Sequence, residues 1–191
     1  MILIINNHGQ YVHRIGRCMK YLNFKSEIIP NTTPVSDIEK KNCTGLILSG
    51  GPYSVYDDME KIGNCNEILN FSLNSNVPLP GICFGYQLIT QFSGGVVAMG
   101  DTAEYAQMEI TIEKENDLFK NLDKKLIVRE SHKDEVTKLP KNFECLASSE
   151  ICEFEAMKHK EKPIYGVQFH PEVNHTPKGG EILKNFLDVC R

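Results

Sequence analysis

The sequence offers little to read as an address or an anchor. Its first nine residues, MILIINNHG, offer five apolar residues at most, with no basic region ahead of them. That is too short for a secretory leader and far too short to span a bilayer. Lysine and arginine never gather into a tail or stripe, and the net charge of −4 gives no electrostatic reason to expect a nucleic-acid or membrane-surface partner. Cysteine is present seven times but without CxxC or CxxxxC spacing, so neither a zinc site nor a disulfide framework is indicated. Free thiols in a reducing cytoplasm are the expectation. Repeats, low-complexity segments and linkers are also missing, so residues 1–191 are read as one domain.

What remains is an ordinary globular composition, 41% hydrophobic and 24% charged, arranged as short apolar runs alternating with amphipathic stretches. Strands are expected at 1–6, 24–29, 44–49, 77–82 and 164–169. Helices are expected at 11–22, 64–74 and 84–92, with a short one capped by Ser36. A last helix opens at Thr176-Pro177 and carries Ile182, Leu183, Phe186 and Leu187 on one face. Continuous apolar strands between helices predict an α/β fold with a mostly parallel open sheet covered on both faces. After Gly94-Gly95 the runs at 105–112, 126–128, 143–148 and 152–158 are shorter and more alternating, which predicts an antiparallel insertion there.

In such a sheet chemistry gathers at the carboxyl ends of the strands. One end reads Gly81-Ile82-Cys83-Phe84-Gly85, a nucleophile elbow with cysteine in place of serine. It places the sulfur at the positive N-terminus of helix 84–92, which favours the thiolate. A second reads His170-Pro171-Glu172, a base with an orienting carboxylate two residues on. The third is Ser49-Gly50-Gly51-Pro52. There the N–H of Gly51 could join that of Phe84 in an oxyanion hole. The same stretch also suggests a phosphate-binding SGGxDS loop, but Pro52 and Tyr53 stand where that pattern needs a variable residue and an aspartate.

GICFGYQ (81–87) together with YGVQFHPEV (165–173) resembles the paired signature of the class I, or triad, glutamine amidotransferases. The likeness covers the whole chain. GQYVHRIGR, PNTTP, LILSGGPYSVYD, SHKDEV and VQFHPEVNHTPKGGEILKNF are similar to the branch that serves GMP synthase. Relatives serving anthranilate and aminodeoxychorismate synthases typically have serine after HPE, where this chain has Val173.

The resemblance implies a flavodoxin-like fold and hydrolysis of L-glutamine through a Cys83–His170–Glu172 triad. Gly51 and Phe84 would form the oxyanion hole, and Gln87, Gly50, Ser131 and His132 would line the substrate pocket. Lys133 and Asp134 become candidates for a partner interface or for sensing the partner's occupancy, against the plain alternative of a solvated charged loop. No metal or organic cofactor is implied in this chain. ATP and Mg²⁺ would belong to an ATP pyrophosphatase synthetase subunit that aminates XMP. The sequence stops at Arg191, just after the last expected helix, and so resembles the separate glutaminase subunit of the archaeal kind. Service to a different synthase, or a non-catalytic relative, stay open at this point.

Two departures from the family pattern stand out. Pro80 replaces an aliphatic residue and removes a ladder donor, so the strand before the elbow is expected to be distorted or shortened. His8 takes a position that is commonly glycine.

Overall fold

The first strand, β1 (Ile2–Asn6), alternates its side chains between two apolar layers, which is why it is hydrophobic throughout. The structure, a computed structural model, describes residues 1–56, 59–104 and 106–191. After β1 come α1 (Val12–Tyr21), β2 (Ser26–Pro30), α2 (Val35–Lys40), β3 (Gly45–Leu48), α3 (Met59–Ile62), α4 (Cys65–Ser75), β4 (Leu79–Ile82) and α5 (Phe84–Phe92). The second half runs β5 (Val96–Glu104), β6 (Gln107–Ile112), β7 (Lys125–Arg129), β8 (His132–Lys138), β9 (Phe143–Ser148), β10 (Ala156–His159), β11 (Ile164–Val167) and α6 (Gly179–Val189).

Nine strands form one sheet in the order β2-β1-β3-β4-β11-β10-β9-β6-β7. The first five are parallel to one another, in the order of flavodoxin-like folds. The rest add antiparallel neighbours. Ile2 and Ile4 of β1 pack with Val12, Ile15 and Met19 of α1 and with Ile182 and Phe186 of α6. Leu3 and Ile5 pack on the opposite face with residues of α2, α4 and α5. The parallel half is therefore covered on both sides, and no helix among the described residues is long and apolar enough to cross a membrane.

The antiparallel strands expected after residue 95 are present, but four of them extend the main sheet. Only β5 and β8 form a separate two-stranded sheet. Several local expectations change. Pro34, with extended backbone, is the N-cap of α2, which puts Ser36 inside the helix. The last helix starts at Gly179 rather than at Pro177. The run at 152–158 pairs only from Ala156, and the strand expected at 164–169 ends at Val167. Tyr105, which opens the strand expected at 105–112, lies outside the described residues, as does Asp57 of the LILSGGPYSVYD stretch.

Pro80 does shorten the pairing, on one side. The N–H groups of Leu79 and Cys83 both point to the β11 side, bonding Pro163 O and Val167 O. By strand alternation the missing donor of Pro80 falls toward β3. Accordingly β4 matches β11 at four positions but β3 at one, Leu48 with Gly81. The elbow itself stays locked, since Cys83 N donates to Val167 O at 2.8 Å.

Candidate active site

Strand β4 runs straight into α5 through a turn at Cys83, whose backbone takes φ 51° and ψ −107°. That is strained geometry for a residue with a side chain. The turn closes only because its flanks are glycines. A Cβ on Gly81 would strike the backbone of Gly85, and one on Gly85 would strike the carbonyl of Leu48 in β3. Phe84 is the first residue of α5, so its N–H has no partner within the helix. Gly51 follows β3 on the neighbouring strand, with Phe84 packed against it.

His170 arrives from the far end of the chain, three residues beyond β11. Its own N–H is held by Arg129 O at 3.0 Å, and its carbonyl accepts the Thr176 hydroxyl at 2.7 Å. Nδ1 lies 2.8 Å from Glu172 Oε1, with both side chains buried. That contact engages one ring nitrogen and leaves Nε2 for Cys83. Burial disfavours the imidazolium, but the Glu172 charge and hydrogen bonds to Cys83 and Glu172 outweigh it, so His170 titrates well above the usual histidine range. A thiol beside an imidazole that a carboxylate orients is the arrangement nucleophilic catalysis requires.

These groups open into a cavity of about 540 Å³. Every site residue expected from the sequence lines it: Cys83, His170, Glu172, Gly50, Gly51, Phe84, Gln87, Ser131, His132, Lys133 and Asp134. Gln87 Nε2 donates to Asp134 O at 2.7 Å and to Gln168 Oε1 at 3.2 Å, leaving its Oε1 as the group it can offer a ligand. The 130–136 stretch is not a solvated loop. His132 to Lys138 form β8, whose inward residues His132 and Asp134 are buried, while Lys133 is exposed. The Tyr56 hydroxyl donates to Asp134 Oδ1 at 2.9 Å.

Two pocket neighbours were not singled out from the sequence. Tyr11 sets its ring edge-to-face on His170, with centroids 5.0 Å apart. Gln168 is wholly buried and brings Nε2 to 3.8 Å from Cys83 Sγ. A polar residue in an otherwise apolar strand end was the available sign for Gln168. Tyr11 read as the first residue of a helix, whereas it is the N-cap of α1. His8 has φ 65°, a left-handed backbone that favours glycine, which accounts for glycine being common there.

The other six thiols have no such company. Burial pushes Cys145 up to about 11 and Cys65 and Cys190 up to about 12, and raises Cys18, Cys43 and Cys152 as well. A thiol held that far above its ordinary value presents orders of magnitude less of the reactive thiolate at neutral pH. Limited treatment of the native chain with iodoacetamide at pH 7, followed by peptide mass mapping, is therefore expected to label Cys83 first. Earlier labelling of any other cysteine would contradict this account of the pocket.

The model of the glutamine amidotransferase class-I family matches residues 3–190, and the chain belongs to that family. It is 56% identical over 191 residues to a protein of Methanococcus aeolicus named as a subunit of glutamine-hydrolyzing GMP synthase, covering 100% of this chain and 97% of that one. The protein of the same name from Pyrococcus abyssi is 55% identical over 190 residues, covering 100% and 98%. Among solved structures, a candidate GMP synthase subunit from Thermoplasma acidophilum superposes with a TM-score of 0.90 at 33% identity, covering 99% of this chain and 92% of that one. A glutamine amidotransferase from Thermotoga maritima shares the fold at a TM-score of 0.83 and 17% identity, covering 99% and 96%.

Proposed function

We propose that residues 1–191 form the glutaminase subunit of a cytoplasmic GMP synthase, paired with a separate ATP-dependent synthetase subunit. The observation that carries this reading is the convergence of Cys83, His170 and Glu172 on one pocket, in a chain that matches glutamine-hydrolyzing GMP synthase subunits over its full length.

His170 takes the thiol proton as Cys83 Sγ attacks the side-chain carbonyl carbon of L-glutamine, and the electron pair of the C=O bond moves onto oxygen. The N–H groups of Gly51 and Phe84 receive that oxyanion. His170 gives a proton to the amide nitrogen as the C–N bond breaks, releasing ammonia and leaving a γ-glutamyl thioester. His170 then takes a proton from water, the hydroxide adds to the thioester, and glutamate departs as the thiol is restored. Glu172 keeps the imidazole oriented through Nδ1 and stabilises its charged form. Gln87, Gly50, Ser131 and His132 hold the substrate. The half-reaction draws on no metal or organic cofactor in this chain.

Ammonia passes to the synthetase, which uses ATP and Mg²⁺ bound on its own chain to convert XMP to GMP. Lys133, exposed on β8, is assigned to the partner interface. Asp134, tied to both Tyr56 and Gln87, is assigned to carrying the partner's state into the pocket.

Ammonia release from glutamine, measured on the chain alone and with the synthetase, XMP, ATP and Mg²⁺, tests this reading. Hydrolysis is expected to rise about tenfold or more when the set is complete, a coupling of about 1.4 kcal/mol. Hydrolysis indifferent to the partner would keep the chemistry and remove GMP synthase as its destination.

A further inference from the structure

Beside the substrate-lining His132 lie two buried carboxyl groups, Glu130 and Glu155, that the proposed chemistry leaves unused. Glu130 and Glu155 are wholly buried, and His132 is nearly so. His132 Nε2 is 3.0 Å from Glu130 Oε2. Glu155 comes from the segment just before β10, fixed by its N–H to Ala147 O and by its carbonyl to Gln168 N. Among the described residues neither carboxyl oxygen of Glu155 accepts a hydrogen bond of ordinary geometry. Its electrostatic neighbours are Glu130, the Ser149 hydroxyl and His132.

Two carboxylates in one dry site cannot both ionise, because desolvation and mutual repulsion each favour keeping a proton. Burial, and after it the charge of Glu130, drive Glu155 well above the ordinary carboxyl value of 4.5, while Ser149 and His132 pull the other way and lose. Among the described residues, Tyr86 of α5, Cys145 of β9 and Cys152 also feel the charge of Glu155. None of those three can carry positive charge. A protonated carboxyl has what an ionised one lacks, an O–H that can donate to its neighbour.

We propose that Glu155 is a positioning residue: it keeps a proton and donates it as a hydrogen bond to Glu130, whose charge holds His132 and so fixes the 130–132 segment against the catalytic pocket. Ser131 lies at the centre of that segment, and its carbonyl oxygen is 3.9 Å from Cys83 Sγ. Ionisation of Glu155 places a second negative charge beside Glu130 and pushes this wall out of register. The site then loses its grip on substrate at alkaline pH, although Cys83 and His170 are intact.

The sign for stability follows from linkage. Above about 4.5 the unfolded chain releases a proton that folded Glu155 retains, so stability falls with rising pH until the folded group itself ionises. Glu155→Gln keeps the shape, can donate to Glu130 at every pH, and removes that fall.

The test compares wild type and Glu155→Gln by infrared difference spectroscopy, melting temperature against pH, and KM for glutamine against pH. At pH 7 the variant is expected to lack a carboxylic-acid C=O band, and its melting temperature should fall less as pH rises. The wild-type KM should climb about three- to tenfold more than the variant's at alkaline pH, with kcat moving equally in both. An acid band that survives the substitution, or superimposable melting profiles, overturns the proton. A proton at Glu155 combined with coincident KM profiles overturns the positioning role. The KM arm rests on the glutaminase reading. If neither protein hydrolyses glutamine while the infrared and melting results appear as expected, that reading fails and the proton assignment stands. Should Glu155→Gln not fold, Glu155→Met, similar in size and permanently uncharged, serves for the infrared and melting measurements; having no donor for Glu130 it should raise KM already at neutral pH, and a KM equal to wild type there overturns the positioning role.

Discussion

Cys83→Ala is expected to lower ammonia release from glutamine by about 10⁴-fold or more while the chain stays folded. In the proposed mechanism the sulfur forms the thioester, and His170 without it has no nucleophile to activate. A loss smaller than about tenfold would remove the thioester from the mechanism. The same position allows a separate check on strain. With φ at 51° and ψ at −107°, Cys83 occupies backbone space that glycine enters freely and alanine does not. Cys83→Gly should therefore be more stable than Cys83→Ala by about 1 kcal/mol in urea unfolding. Alanine being equal or better would mean that the elbow stores no strain.

Gly85→Ala should destabilise the fold by about 3 kcal/mol and abolish most of the activity with it. The added methyl group has nowhere to go, because the carbonyl of Leu48 at the end of β3 occupies its place. Helix propensity alone predicts the opposite sign, a gain of about 1 kcal/mol for alanine inside a helix. The comparison between the two effects is thus decided by packing. Gly180→Ala in α6 is the matched control, since open space surrounds its missing Cβ. That substitution should be neutral or stabilising by about 0.5–1 kcal/mol. If Gly85→Ala behaved like Gly180→Ala, the close approach of α5 to β3 would be wrong.

The parallel half of the fold was readable because most of its strands are apolar on both faces, as β1 and β3 illustrate. The meeting of Cys83, His170 and Glu172 at one pocket was readable because they follow strand ends with short, chemically distinctive neighbours. Other features depend on partners distant in the chain. The charged stretch HKDEVTK resembles solvated loop by composition. It is strand β8 because β5 pairs with it, because His132 meets buried Glu130 and because Asp134 accepts the Tyr56 hydroxyl. Strand β5 was missed for the same reason, and short α3 carries too few residues for a period to show. Ser36 looked like a cap by residue type. The extended backbone of Pro34 ends up at that position instead, a choice made by geometry rather than hydrogen bonding. Tyr11 and Gln168 acquire meaning only once α1 and β11 stand beside β4.

The insertion of β11 between β4 and β10 has a consequence for the order in which the protein comes to life. Gln168 and Cys83 are 85 residues apart, and the bond from Cys83 N to Val167 O cannot form until β11 has slotted into place. Such a distant closure is entropically costly and belongs late in folding. During synthesis, when the N-terminal part leaves the ribosome first, the chain through α5 holds the thiol with neither the lock on its backbone nor the imidazole beside it. The nucleophile proposed for this pocket is therefore assembled by the completion of the fold, and a chain interrupted before β11 lacks both of these contacts.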